Sequence, residues 1–276
     1  KMRDEGVGFA EALAQAQALG YAEADPTFDI EGIDAAHKIS LLAANAFGMQ
    51  VRFADAQVEG ITALQGLDVA CAEQLGYRIK LLGVAKRRKE GDAEGVELRV
   101  QPALVPATHL LAHVNGSMNA VMVKGDASGV TMYYGAGAGS EQTASAVIAD
   151  LVDVARLQGT QAAQRVPHLG FHADAVNDNL AVLPRAAVHT RHYLRVPVHQ
   201  AQQIEAVGAW LAAQQVPVAR MELACEKAAP AGMGPQVLVL TDAVAQSTVD
   251  LAVHALAAHP AVAGPVAALR VEMLEG

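Results

Sequence analysis

The chain has 276 residues, of which 52% are hydrophobic and 18% charged, a composition typical of a globular protein with room for two ordinary domains. Its net charge of -9 argues against nucleic acid as a partner, because phosphate binding requires a basic surface. No apolar run approaches the roughly 20 residues that span a bilayer, so we expect no membrane role. Cys71 and Cys225 lack the spacing of a metal site, and we expect free thiols in the cytoplasm and no bound metal.

The first predicted elements are two helices joined by an acidic loop. Residues 9–19 are strong helix formers that end at Gly20, and the second helix is expected over about residues 32–47. Pro26 disfavours helical backbone at Asp25, so the residues between the helices should form a loop. The carboxylates of this loop are Glu23, Asp25, Asp29 and Glu31.

Asp34 and Lys38 lie four residues apart and therefore point to the same side of the second helix. Alone, this spacing is typical of an exposed ion pair worth about 0.3–0.5 kcal/mol. The alternative is a catalytic pair, in which the carboxylate holds a lysine that transfers a proton to or from an alcohol or carbonyl oxygen. The acidic loop beside the pair would suit a substrate with an ammonium group, although such loops are often simply solvated.

Downstream, the hydrophobic period changes from helical to alternating. After a predicted helix over residues 67–75, alternating segments at 77–86, 96–102, 119–124 and 130–134 predict strands separated by glycine-containing turns. The short gaps favour an antiparallel or mixed sheet, with the two early helices on one of its faces.

A glycine-rich run, Tyr134-Gly-Ala-Gly-Ala-Gly139, precedes a predicted helix over residues 143–157. Glycine lets the backbone approach a ligand closely, and Thr143 is a candidate N-cap for the helix. The same pattern is also typical of a purely structural turn. The broad apolar face of this helix requires a surface to pack against.

Residues 159–190 show little periodicity and are interpreted as a linker between a first region, 1–158, and a second region, 191–276. The second region reads strand, helix, strand, strand, helix, strand, which is the ferredoxin-like βαββαβ order. The predicted fold class is therefore α+β: a mixed β-sheet covered by helices, followed by a ferredoxin-like unit. This order by itself indicates no function.

Two motifs together resemble those of homoserine dehydrogenases. The first is Gly20-Tyr-Ala-Glu-Ala-Asp-Pro26 with Gly32-Ile-Asp-Ala-Ala-His-Lys38. The second is the glycine-rich run with the helix that follows it from Thr143. The resemblance extends over nearly the whole chain, and residues 191–276 resemble an ACT domain.

Enzymes of that family use NAD or NADP to interconvert aspartate semialdehyde and homoserine, a step in threonine, methionine and isoleucine biosynthesis. The resemblance implies that Lys38 transfers the proton at the substrate oxygen and that Asp34 holds Lys38. It also implies a homoserine site and a loop that approaches the nicotinamide. The homoserine site would contain Tyr21, Glu23 and Asp29, and the loop would contain Gly135, Gly137, Ala138 and Gly139.

The resemblance also leads to expectations about the rest of the enzyme. The family's nucleotide-binding domain has no counterpart in this sequence, so we expect residues 143–157 to pack on that domain and the chain alone to be inactive. ACT domains are associated with threonine feedback in this family, but the run from Val198 to Ile204 lacks their usual proline–glycine turn, which argues against an amino-acid effector here. A homodimer or homotetramer is expected.

Two other functions stay open at this point. The chain could be a non-catalytic amino-acid-binding or assembly protein, in which the acidic loop is a solvated surface and the ACT-like unit pairs subunits. It could also belong to a dehydrogenase for a different semialdehyde, which would differ only in pocket residues. The choice between NAD and NADP depends on residues that this sequence does not contain.

Overall fold

The computed structural model describes the backbone of residues 1–20, 22, 24–90, 93–137, 139–161, 165, 167, 170–176, 180–225 and 233–274. The helices in this part of the chain are α1 (Phe9–Ala18), α2 (Thr27–Ile30), α3 (Ile33–Phe47), α4 (Gly66–Gln74), α5 (Ser140–Leu157), α6 (Ile204–Ala213) and α7 (Gln246–Leu256). The strands are β1 (Gln57–Val58), β2 (Tyr77–Glu90), β3 (Ala93–Pro106), β4 (Met118–Gly125), β5 (Gly129–Ala136), β6 (Ala181–Val182), β7 (His189–Pro197), β8 (Val218–Leu223), β9 (Gln236–Thr241), β10 (Val244–Ala245) and β11 (Ala267–Val271).

The longest predicted elements are present, and two expectations about helices are wrong. Thr143 does not cap α5: the helix begins at Ser140, and the Thr143 N–H already donates to the Gly139 carbonyl at 3.0 Å. The first of the two early helices, α1, has no buried residue and does not cover the sheet. That role belongs to α3 and α4, which pack on β2 and β3.

Strand β3 connects the two halves of the main sheet. Along one edge it pairs antiparallel with β2 over the full length of both strands. Along the other edge it pairs in parallel with β6, then β1, then β11. From β11 the main sheet continues antiparallel through β7 and β9 to β8, and β10 pairs with β7. Nine of the described strands thus form one mixed sheet, while β4 and β5 form a separate hairpin.

The C-terminal part contains the predicted sequence of longer strands and helices, with the two-residue strand β10 in addition. Its strands lie in the order β11-β7-β9-β8, all antiparallel, with α6 and α7 in the two crossovers. Because β11 also pairs with β3, this unit shares its sheet with the first region. Glu272, the residue after β11, extends this pairing, since its N–H donates to the Leu104 carbonyl at 2.9 Å. The coarse prediction of an α+β fold with a mixed, helix-covered sheet is confirmed.

The main sheet has helices on both faces. On one face α3 buries Ala43 against Val96 and Leu98 of β3, and α4 buries Leu67, Cys71 and Leu75 against β3, β7, β9 and β11. On the other face, α6 and α7 cover an apolar core of β7 and β9 side chains. These cores are formed by alternating positions of the same strands, which explains why β9 is buried along its whole length.

Two buried ion-pair groups connect distant segments. Arg195 of β7 donates from Nε to the Asp68 carboxylate of α4 at 2.7 Å, and both side chains are almost fully buried. On β3, Arg99 donates to Glu97 at 2.6 Å and also to Glu272 at the end of the chain. Burial raises the pKa of Glu97 and Glu272, but the charge and hydrogen bond of Arg99 together with the other nearby cations outweigh burial, and both pKa values are lowered.

A third polar group lies between β7, β11 and α7. The Gln246 side-chain oxygen accepts from Arg270 Nε at 2.7 Å and lies 3.0 Å from His192 Nε2. His192 is buried, and burial lowers its pKa to about 4, although the hydrogen bond with Gln246 acts in the opposite direction. The folded protein therefore holds this imidazole neutral at physiological pH.

Candidate active site

The candidate site is built on the corner between α2 and α3. Asp25 fixes the start of α2, because its carboxylate accepts from the Thr27 amide at 3.1 Å and from the Thr27 hydroxyl at 2.6 Å. These hydrogen bonds lower the pKa of Asp25. Gly32 then makes the turn into α3 with φ of +77°, a conformation that favours glycine. A side chain at Gly32 would also contact Val100 of β3, so the corner lies directly against the sheet.

Asp34 and Lys38 form the pair that their spacing predicts. Lys38 Nζ lies 2.6 Å from Asp34 Oδ2, and 64% of the Lys38 side chain is exposed, against 38% of Asp34. Asp34 occupies the first turn of α3, where a negative charge is favoured by the helix dipole. The lysine is therefore oriented by its neighbour, while its ammonium group stays accessible at the surface of this chain.

The acidic loop is only partly described. Tyr21 and Glu23 lie outside the described residues, so their predicted roles have no geometry here. Asp29 lies in the single turn of α2 with an exposed side chain, and the partly buried Glu31 follows the helix. Asp29 and Lys38 thus sit on two adjoining helices of the same corner.

A loop after β1 supports the corner from behind. The Ile61 N–H donates to the Ile30 carbonyl at 2.8 Å, so the carbonyl group of the last residue of α2 has a hydrogen-bond partner. Next to it, Gly60 packs so closely that a Cβ atom would lie 2.5 Å from the Ile30 oxygen and 2.7 Å from the Glu31 Cα. Glycine is therefore required at position 60 for α2 to keep its place.

The glycine-rich run connects β5 to α5. Gly135 is the penultimate residue of β5, Gly137 follows the strand, and Gly139 is the N-cap of α5; Ala138 lies outside the described residues. Gly139 has φ of +127°, which side-chain-bearing residues rarely adopt. No side chain caps α5, so the first amide groups of this long helix are available to a hydrogen-bond acceptor.

An open cleft of about 640 Å³ lies where the acidic loop begins and α5 starts. Gly20, the residue before the loop, lines one side, and Gly139, Ser140 and Thr143 line the other. The structure therefore brings the two sequence motifs next to each other through Gly20 and Gly139. Within the described residues, neither Asp34 nor Lys38 lines this cleft.

Sequence patterns did not indicate an aromatic stack on the same corner. The imidazole of His37 lies between Phe28 of α2 and Phe53, with ring centroids 5.7 Å and 4.3 Å apart and interplanar angles of 16° and 14°. The three residues belong to different segments and share no periodicity. The adjacency of Phe28 to Asp29 and of His37 to Lys38 was the only available signal.

Beside this corner, apolar surface is left uncovered. Helix α5 has no buried residue, and Val147, Ile148, Leu151 and Val154 are each more than half exposed. The β4–β5 hairpin pairs only with itself and exposes Tyr133, among others. Long apolar helix faces of this kind normally pack against another surface.

Comparison with known proteins decides the family. The sequence model described as homoserine dehydrogenase matches residues 1–152, more than half of the chain. The chain belongs to the homoserine dehydrogenase family. The homoserine dehydrogenase of Pseudomonas aeruginosa is 48% identical over 99% of this chain and 62% of its own length. That of Neisseria gonorrhoeae is 44% identical over 99% of this chain and 61% of its own length.

Solved structures of homoserine dehydrogenases have the same fold. The Thiobacillus denitrificans structure matches with a TM-score of 0.87 and 48% identity, over 98% of this chain and 60% of that one. The S. aureus structure matches with a TM-score of 0.71 and 30% identity, over 99% of this chain and 61% of that one. The chain thus spans about three fifths of the length of these relatives.

The described part of the chain has neither a membrane-spanning helix nor a cluster of metal ligands. Its helices include none with the length and apolar character needed to cross a bilayer. Its His, Cys, Asp and Glu side chains do not gather in any group of three or more that could hold a metal ion.

Proposed function

We propose that this chain is the substrate-binding and catalytic part of an NAD(P)-dependent homoserine dehydrogenase, which interconverts aspartate semialdehyde and homoserine in threonine, methionine and isoleucine biosynthesis. The observation that carries the proposal is the 2.6 Å pair of Lys38 and Asp34, located inside the segment that matches the family. The cleft that joins Gly20 to Gly139 supports it, because it places the beginning of the acidic loop beside the proposed cofactor loop.

In this proposal Lys38 moves the proton at the substrate oxygen. As an ammonium group it donates to the carbonyl oxygen of aspartate semialdehyde, and as an amine it accepts the hydroxyl proton of homoserine. Asp34 keeps Nζ in one orientation through its hydrogen bond and balances the positive charge. The exposed Asp29 would pair with the ammonium group of the amino acid, together with Glu23 and Tyr21.

The residues after β5 fit a nicotinamide cofactor. The uncapped start of α5 offers amide donors, and Gly135 has open space where a Cβ atom would lie. The side chains of Asn119 and Gln142 lie close to Gly137 and Gly139, where a Cβ atom would clash with them. Ala138 belongs to the same run. NAD or NADP, when bound, supplies the hydride acceptor or donor for the substrate carbon. The preference for NAD or NADP would be determined by the part of the relatives that this chain does not match.

We assign the exposed surfaces to contacts within the whole enzyme. The apolar face of α5, over residues 143–157, would pack on the nucleotide-binding domain, and the exposed hairpin would contact a second subunit in a homodimer or homotetramer. A two-stranded hairpin is marginally stable alone, which supports this assignment. Residues 1–158 would form the catalytic and dimerisation region and 159–190 the linker.

Residues 191–276 would form an ACT-like unit. The antiparallel strand order β11-β7-β9-β8 with α6 and α7 in the crossovers supports this fold. The segment between β7 and α6 is a 3-10 turn at Ala201–Gln203 with no proline or glycine, so we propose that no amino-acid effector binds there. A cytoplasmic location is proposed because Cys71 and Cys225 are free thiols.

The exposure of Lys38 favours one other candidate function, a non-catalytic amino-acid-binding or assembly protein. In that case the corner of α2 and α3 would be a solvated surface, and Lys38 and Asp34 would form an ordinary helical ion pair. No nucleic acid or membrane partner is proposed in either case.

The test measures NADP- and NAD-dependent oxidation of homoserine by two proteins. One is the chain alone; the other is the chain joined to the segment of the Thiobacillus denitrificans enzyme that it does not match. We expect turnover only from the joined protein. In it, Lys38→Ala should lower kcat by about 10² to 10⁴, the usual contribution of a general acid–base group.

The matched control is Lys89→Ala, which removes an exposed lysine from β2. It should leave kcat unchanged. Turnover by the chain alone would contradict the expected dependence on the additional segment. A folded Lys38→Ala protein with unchanged kcat would contradict the enzyme mechanism and favour the non-catalytic candidate.

A further inference from the structure

The single turn of α2 carries Asp29 and depends on contacts with neighbouring segments. It contains four residues, none of them buried, and one helical turn is not stable alone in water. Its first residue is fixed by Asp25 and its last by Ile61. Both contacts are made with segments other than α3, on which Lys38 lies.

The aromatic stack is a side-chain contact that crosses from α2 to α3. Phe28, next to Asp29, and Phe53 both stack on the His37 ring, with both interplanar angles within 16°. His37 follows Asp34 by three residues, so these two side chains are neighbours on the helix surface, and Lys38 is the next residue along α3. A displacement of the imidazole would therefore move α2 relative to the lysine.

We propose that His37 is a positioning residue, which holds Asp29 at a set distance from Lys38 by stacking between Phe28 and Phe53. It acts as a flat ring and carries no proton in the reaction. This inference rests on the proposed function, because it assumes that Asp29 binds the substrate ammonium while Lys38 acts at its oxygen. A substrate held at both ends by different helices is sensitive to their spacing, since a misplacement of about 1 Å can cost 10²-fold in rate.

The experiment uses the joined protein described above, with homoserine varied from pH 6 to pH 10. We expect His37→Ala to lower kcat/KM for homoserine at least tenfold, mostly through a higher KM. His37→Phe keeps a ring in the stack but cannot carry a proton, and it should stay within threefold of the unsubstituted protein with the same pH profile. The matched control is His254→Ala, an exposed histidine on α7, which should have no effect.

A second variant tests the stack at Phe53. Phe53→Leu keeps apolar bulk but removes one of the two rings, and we expect a smaller loss of about threefold. This variant decides the question if His37→Ala fails to fold: an unchanged KM in folded Phe53→Leu would then overturn the proposal.

Other outcomes separate the positioning role from the proposed function. If His37→Ala behaves like His254→Ala, the positioning role is wrong and the dehydrogenase stands. If His37→Phe is as impaired as His37→Ala and loses one limb of the pH profile, His37 carries a proton and the proposal is overturned. If the unsubstituted joined protein has no turnover, both the function and the positioning role fail.

Discussion

Strand β9 and helix α5 represent two ways of using apolar residues in this chain. Every residue of β9 is buried between α4 on one face of the sheet and α6 and α7 on the other, whereas no residue of α5 is buried. The main sheet is thus covered on both faces by helices of this chain, whereas the apolar face of α5 next to the candidate site is uncovered. This difference agrees with the lengths of the relatives, about two fifths of which lie beyond the match.

The contrast leads to four predictions about stability, of which the largest concerns Arg99. Arg99→Met should lower the free energy of unfolding by about 3–5 kcal/mol, because Glu97 and Glu272 would stay buried with less positive charge beside them. Urea unfolding of both proteins measures the change. Arg87→Met is the control, since it breaks an exposed pair with Glu94 in the same hairpin and should leave the midpoint where it is.

The second prediction compares the two regions directly. Leu238→Ala on β9 should cost about 2–5 kcal/mol, because it leaves a cavity in a fully packed core. Leu151→Ala on α5 makes the same chemical change at a position that is 58% exposed, and it should have almost no effect on the chain alone. Thermal unfolding checks both. Equal losses would mean that α5 is covered in solution, for example by a second copy of the chain.

The third prediction concerns pH. Because burial lowers the pKa of His192 to about 4, the unfolded chain binds more protons than the folded one between that value and the ordinary pKa of 6.5. Stability should therefore fall as pH decreases through this window, by about 2 kcal/mol between pH 7 and pH 5.

Urea unfolding at the two pH values measures this loss. His192→Gln, which keeps a polar side chain but does not titrate, should show a smaller difference between pH 7 and pH 5. An identical pH dependence in the two proteins would assign the effect to other groups. The carboxylates Glu97 and Glu272, whose pKa values are lowered, contribute only at lower pH.

The smallest expected effect is at the candidate site. Asp34→Asn should change the free energy of unfolding by only about 0.3–0.5 kcal/mol, because the pair with Lys38 is partly exposed and lies on a single helix. Differential scanning calorimetry resolves such a shift. If the free energy of unfolding fell by several kcal/mol, the pair would have a structural role. That result would argue against its interpretation as a catalytic pair.

The sequence predicted what depends on local spacing. The four-residue separation of Asp34 and Lys38, the stop at Gly20 and the alternating residues of β2 and β3 all act within a few positions of the chain. The family followed from short motifs for the same reason. The order of the longer strands and helices after residue 190 agrees with the prediction, but the prediction missed β10 and did not reveal that β11 pairs with β3.

Contacts between distant segments were not predictable. Arg99 and Arg195 look like ordinary surface charges in alternating strands, and only the fold shows that Glu272 and Asp68 neutralise them in the interior. The stack of His37 joins three segments whose spacing has no period. Thr143 was placed at the start of α5 because threonine is a good cap, but the helix starts at Ser140.

The pairing of β11 with β3 has a consequence for how a chain with this fold can change over evolutionary time. A regulatory module attached by a flexible tether can be gained, lost or exchanged without disturbing its host. Here the last strand of the chain gives its backbone hydrogen bonds to the strand on which α3 packs. Deleting the C-terminal unit would leave the β3 backbone unpaired at Ala103 and Leu104, so the first region is expected to need a compensating change there before it could exist without the second.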